Sequence, residues 1–222
     1  MIDQLIIGSK HSYDDYEASV KERTIGAPAK KKIKETVPFS NTTYDFSAIN
    51  GEIYWDERPL EYTLEITADT PEDLEAKKQR VMSWLMSVMG ESLHDPHIKG
   101  YHFIATLDSL SIDDTDDIEK TTIKAKFSAY PYMIADAARE YPVRLSAGAA
   151  VDIIVENKSS HRLTPTLTSD VAFTVTKDDI VFSVPSGETK DDSFKLDVGN
   201  NALTLQATED GTVNISFHEE VF

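Results

Sequence analysis

The chain of 222 residues contains no cysteine. Disulfides, thiolate zinc sites, iron–sulfur clusters and cysteine nucleophiles are excluded together, and folding in a reducing cytoplasm fits easily. Basic residues are scarce: 22 Lys and Arg stand against 39 Asp and Glu, a formal net charge of −17. Wrapping nucleic acid or lying on an anionic membrane requires a basic face, so neither is expected. Apolar runs fall far short of the roughly 20 residues that span a bilayer. Residues Met1 to Gly8 lack the basic start and long apolar stretch of a signal peptide, so Ile2 to Ile7 reads as a first strand. Dinucleotide fingerprints, phosphate loops and zincin motifs are also missing.

What is present is a 40% apolar content spread along the whole length, enough for one large or two modest domains. From Leu60 to Thr67 apolar and polar residues alternate strictly, with Leu60, Tyr62, Leu64 and Ile66 on one face, which predicts a half-buried strand. Thr70 then offers an N-cap, Pro71 a first helical residue, and Glu72 and Asp73 an acidic first turn. Leu74, Val81, Met82, Leu85, Val88 and Met89 fall on one stripe, so the spacing predicts an amphipathic helix stopped by Gly90. The stripe, with Trp84 beside it, reads as core packing and not as a binding groove.

Tyr101 to Leu107 and Ile123 to Ala129 alternate again and predict a hairpin joined through Asp113 to Lys120. At Ala135 to Pro142 the periodicity fails, which places a domain boundary there and gives domains 1–136 and 137–222. Beyond it, strands recur every 8 to 12 residues, as in a sandwich. They are Val151–Val155, Pro165–Thr168, Val171–Val175, Ile180–Val184, Phe194–Leu196, Leu203–Gln206 and Val213–Phe217. The turns between them are Asp178-Asp179, Pro185-Ser186-Gly187, Gly199-Asn200-Asn201 and Glu209-Asp210-Gly211.

Candidate chemistry is thin. Gly90-Glu91-Ser92-Leu93-His94 approaches a nucleophile elbow, but His94 stands where the closing glycine belongs and the motif follows a helix. His94, Asp95, His97 and His102 could supply metal ligands. A proline turn at Pro96 leading into the Tyr101 strand explains them without one. Asp113 to Glu119 clusters five carboxylates without the glycine or the placed glutamate of a calcium loop, and reads as a solvated hairpin tip. No catalytic, cofactor or metal residue is assigned.

The polar segment Ser9 to Asn50 has weak strand signals at Ser19–Thr24, Lys32–Val37 and Thr43–Phe46. Segments this long usually carry function or extend as hairpin arms. We expect an arm that contacts another subunit. Its candidate interface residues are Lys30, Lys31, Lys32 and Lys34, the main basic run, with Pro38 and Phe39.

A resemblance joins these pieces. Pro38 to Phe46, Glu52 to Tyr62, a single helix, Tyr101 to Ala105 and Phe127-Ser128-Ala129-Tyr130-Pro131-Tyr132 look like the N-terminal domain of phage distal tail proteins. Ile154 to Asn157, Pro165 to Thr168 and Gly199-Asn200-Asn201 resemble that family's C-terminal sandwich. The resemblance implies a mainly β fold with one long helix: a tail-tube-like β-sandwich or barrel plus helix, then a galectin-like, jelly-roll β-sandwich. It implies a non-enzymatic subunit of a hexameric ring at the virion tail tip, assembled in the host cytoplasm, with no cofactor and no membrane partner. Its implied partners are the tail tube protein, a tail-tip or tail-associated lysin hub protein and a receptor-binding protein. Six copies at −17 each carry −102 formal charges, which suits a lumen that DNA passes without sticking. A carbohydrate-binding sandwich is the alternative, although residues 151–222 hold no Trp or Tyr for a sugar platform.

Overall fold

The computed structural model describes residues 3–36, 38–39, 41–48, 51–113 and 119–222. The chain divides into two compact units, Met1–Met133 and Ile134–Phe222. Among the described residues, no helix is long and apolar enough to cross a membrane.

In the first unit the strands are β1 (Ile6–Ile7), β2 (Lys10–His11), β3 (Ala18–Ile25), β4 (Lys34–Thr36), β5 (Thr43–Asp45), β6 (Arg58–Thr67), β7 (Glu91–His94), β8 (Tyr101–Asp113) and β9 (Lys120–Ala129). Neighbours pair antiparallel in the order β3, β6, β9, β8, β7, β1, β2. The two ends of this path approach each other: Ala18 N–H donates to the Ser12 carbonyl at 2.8 Å and Val20 N–H to that of Asp3 at 2.9 Å. The alternation of Leu60 to Ile66 is realised in β6, whose Leu60, Tyr62, Leu64 and Ile66 are all buried. On β9, Ile123, Ala125, Phe127 and Ala129 face the same core.

The helix α1 (Pro71–Met86) starts as its residues dictate. Thr70 is the N-cap, its Oγ1 accepting from Asp73 N–H at 3.2 Å, and Pro71 opens the first turn where its missing N–H costs nothing. It ends earlier than the expected Gly90. Ser87 caps it, donating its hydroxyl to the Trp84 carbonyl at 2.6 Å, and Gly90, at φ 68°, belongs to the turn into β7. Val81, Trp84, Leu85 and Val88 are buried against the sheet, with α1 lying on β6, β8 and β9. Tyr16 stacks on Trp84 with ring centroids 4.6 Å apart. Met89, placed on the apolar stripe, lies beyond the helix and is 81% exposed.

The expected strand Ile2–Ile7 is shorter, because Ser12 Oγ accepts the Leu5 N–H at 3.0 Å and only Ile6–Ile7 pair. Met1 and Ile2 lie outside the described residues.

The second unit is a sandwich of two four-stranded sheets. Its strands are β10 (Met133–Leu145), β11 (Ala150–Asn157), β12 (Thr166–Ser169), β13 (Phe173–Lys177), β14 (Ile180–Val184), β15 (Gly187–Thr189), β16 (Gly199–Ala207) and β17 (Gly211–Val221). One sheet runs β15, β12, β17, β10 and the other β11, β16, β13, β14. Val143, Leu145, Leu167, Val213, Ile215 and Phe217 of the first sheet share a core with Val155, Phe173, Val175, Val184, Leu203 and Leu205 of the second. Asp178 and Asp179, at φ 50° and 65°, form the two-residue turn of the β13–β14 hairpin.

Three expectations need correction here. The stretch Ala135–Pro142 is part of the continuous strand β10, whose exposed residues Asp136 to Glu140 hide the alternation. Phe194–Leu196 is not a strand; Leu196 makes a single bridge with Leu163, and Phe194 and Leu196 fill the core. Gly199-Asn200-Asn201 is not a turn but the start of β16, with Asn201 paired to Val155.

Candidate functional site

The arm is built by continuing the β3–β6 pair outward. Gly26 N–H donates to the Pro59 carbonyl at 2.9 Å, Asp56 N–H to that of Ala29 at 2.8 Å, and Lys31 N–H to that of Tyr54 at 2.9 Å. Lys30 and Trp55 form a bridge, with the Lys30 ammonium 5.7 Å from the Trp55 ring centroid. At the root, a Cβ on Gly26 would stand 2.7 Å from Pro59 Cγ and 3.0 Å from its carbonyl oxygen, so the two chains approach only because Gly26 has none. Farther out, Phe46 N–H donates to the Ile33 carbonyl at 2.8 Å, and β4 pairs with β5 as a separate two-stranded sheet.

Among the described residues, the arm adds no side chain to the buried hydrophobic cluster of its unit, which passes from Val20 to Leu60. Its side chains Ile33, Phe39, Tyr44, Phe46, Ile53 and Tyr54 are exposed, and Tyr44 and Phe46 stack at 6.3 Å. Lys30, Lys31, Lys32 and Lys34 are exposed as well. Lys34 meets Asp45 across the hairpin at 3.6 Å. The Asp45 carboxyl is held below the usual range by hydrogen bonds from Ser47 first and by Lys34 after them. Pro38 and Phe39 occupy an exposed turn, Phe39 at φ 63°. Residues 27–48 carry four lysines against Glu35 and Asp45, while Glu52, Asp56 and Glu57 lie on the returning chain, so the lysines concentrate on one side of an arm that is net −1 over residues 28–57.

The residues considered for chemistry separate. Ser92 sits within β7, opposite Ile104, and not on a strand-to-helix turn, so the elbow geometry is missing. Asp95 is fully buried as a structural group. It accepts the Tyr62 hydroxyl at 3.3 Å and His97 N–H at 2.9 Å, and pairs with Arg23 Nε at 3.2 Å. Arg23 also pairs with Asp3, and His97 Nε2 lies 3.3 Å from Asp3. Burial first, then the Asp95 charge, pushes the Tyr62 hydroxyl well above the usual tyrosine range. His94 and His102 come together instead, with ring centroids 4.9 Å apart. Asp114 to Ile118 of the carboxylate cluster lie outside the described residues.

In the second unit Phe173, Phe194 and Phe217 are buried and Phe182 is half-buried against the core, leaving Phe222 as the exposed phenyl ring. A groove of about 670 Å³ lies beside β13, β14 and β16, lined by Ala172, Phe173, Val184, Pro185 and Ala207 among others, with no ionisable side chain. Sequence reasoning missed Asn157 and Asn201, which set the shape here. Asn157 donates to the carbonyls of His161 and Leu196 at 3.1 and 3.2 Å and accepts Ser159 N–H at 2.9 Å. Asn201 donates to the carbonyls of Asp197 and Gly199 at 2.9 and 3.1 Å and accepts Asp197 N–H at 2.8 Å. Their placement just before or after a Gly- or Ser-containing loop was the available signal.

Among the described residues, an antiparallel sheet with one helix, a protruding arm and a two-sheet sandwich make up the fold. The chain is similar over 100% of its length, and 100% of the other chain, to the crystal structure of SPP1 Dit (gp 19.1), with a TM-score of 0.71 at 14% identity. That protein is described as a paradigm of the hub adsorption apparatus in phages infecting Gram-positive bacteria. The phage P2 baseplate, in its activated conformation with Ca, aligns over 97% of this chain and 98% of that one, with a TM-score of 0.41 at 10% identity. No family model and no curated protein matches the sequence. The likeness to SPP1 Dit establishes the fold.

Proposed function

We propose that the chain is a non-enzymatic structural subunit of a phage or prophage tail tip. Six copies form a ring that joins the tail tube to the tip or baseplate, and DNA passes through its lumen. The observation that supports this reading is the end-to-end likeness to a hub protein, with 100% of both chains covered. The arm fits it physically: exposed Ile33, Tyr44 and Phe46 gain from burial only when another surface covers them. A heterologous contact repeated by rotation closes into a ring. Lys30, Lys31, Lys32, Lys34, Pro38 and Phe39 would then meet the acidic surface of the neighbouring copy. The tail tube protein, a lysin-type hub protein and a receptor-binding protein are the partners this position calls for, with assembly in the host cytoplasm.

Native mass spectrometry of the purified chain, with negative-stain imaging, tests the reading. We expect a six-membered ring, and reversal of Lys30, Lys31, Lys32 and Lys34 to Glu should shift the population toward monomer. A closed assembly of another order, or a ring indifferent to that reversal together with removal of Phe39, Tyr44 and Phe46, would sink the arm-mediated hexamer.

A further inference from the structure

We propose that His94 and His102 form a binding site for one divalent transition-metal ion of the zinc, nickel or copper type. This goes beyond the structural role and does not depend on it. The two histidines are separated in sequence by the turn from Asp95 to Gly100, but β7 and β8 pair antiparallel with Leu93 opposite Phe103. The next position in that register sets His94 across from His102. Leu93 and Phe103 are buried in the core, so the two-residue period of a strand sends both imidazoles to the opposite face. There the rings lie at 4.9 Å between centroids and 32° between planes, each half-buried, with ring nitrogens within 4.8 Å of one another.

This is the geometry of a cross-strand chelate. Two nitrogens bound tetrahedrally to zinc at about 2.0–2.1 Å stand about 3.3 Å apart. Small rotations of two half-buried rings supply that closure. Imidazole suits zinc, copper and nickel, whereas magnesium and calcium prefer oxygen, so the ligand type selects the class of ion. Two imidazoles leave the remaining positions to water or to oxygen ligands. The ion would clasp β7 to the beginning of β8 and stabilise the folded chain by binding it and not the unfolded one. His97, on which sequence spacing placed equal weight, is excluded because its ring turns to Asp3.

The test is calorimetric titration of the tag-free full chain, stripped with EDTA, with zinc chloride. We expect one zinc per chain, weakened at least tenfold by either His94→Asn or His102→Asn and unchanged by His97→Asn. The thermal midpoint should rise with zinc in the parent and in His97→Asn, and stay put in the other two. Absence of saturable binding at millimolar zinc, or binding that survives both substitutions, overturns the proposal. Should a variant not fold, the parent decides: stoichiometric zinc shifts the imidazole resonances of His94 and His102 together, and failure to shift both rejects the site.

Discussion

At the scale of single residues, polar groups inside the first unit fix what apolar packing leaves open. Asp95 is fully buried and binds Tyr62, Arg23 and the His97 backbone at once, tying the loop after β7 to β6 and β3. Removing a partner from a buried pair costs about 3–5 kcal/mol. Here Arg23 keeps Asp3 and is partly solvated, so Asp95→Ala should cost about 2–3 kcal/mol, read as a lowered urea midpoint. A loss under about 0.5 kcal/mol would show that the network is not carrying weight. Tyr62 gives a pH signature. Its folded-state pKa is raised, so the stabilisation is whole below the unfolded value of about 10 and lost as pH climbs above it. Each pH unit in that window should cost about 1.4 kcal/mol. Between pH 9 and 11 the parent's urea midpoint should therefore fall more steeply than that of Tyr62→Phe; parallel slopes would refute the assignment.

At the scale of elements, α1 and β6 are set by local chemistry, whereas the arm is set by what it fails to bury. The start of α1 was legible because Thr70, Pro71 and the two acids satisfy or suit the free amides of a first turn. Its end was not, because Ser87 caps it through a hydroxyl bond that any serine nearby could have made. β6 was legible because one of its faces is packed and the other charged, with Glu61 paired to Lys124 and Glu65 to Lys120. β10 escaped notice because five successive exposed residues break the two-residue period. Among the described residues, none between Val20 and Leu60 joins the first unit's buried hydrophobic cluster. Replacing residues 28–57 by a short turn should leave the thermal midpoint of the chain unchanged within a few degrees while abolishing higher-order assembly. A midpoint lowered by more than about 10 °C would mean that the arm is part of the fold.

At the scale of the whole molecule, two units each enclose a separate buried cluster. We expect residues 134–222 alone to fold, since the sandwich supplies a core of its own from both sheets. A cooperative urea transition with dispersed amide resonances is the expected result, and a noncooperative, poorly dispersed chain would count against treating it as a domain. The likeness to a solved structure enters only at this scale, since it spans 100% of the chain and thus both units, and it does not rest on any single site.

The sequence by itself determined the β-rich class, the one helix and its first turn, and the arm with its lysines. These follow from periodicity, capping and charge, which act over a few neighbouring residues. Tertiary structure alone decided that Asp95 is a buried anchor, that Gly199 to Asn201 begin a strand, and that His94 faces His102 while His97 turns away. Each of those depends on register between strands that are distant along the chain, and register is set by which side chains share a core, a property that no local pattern contains.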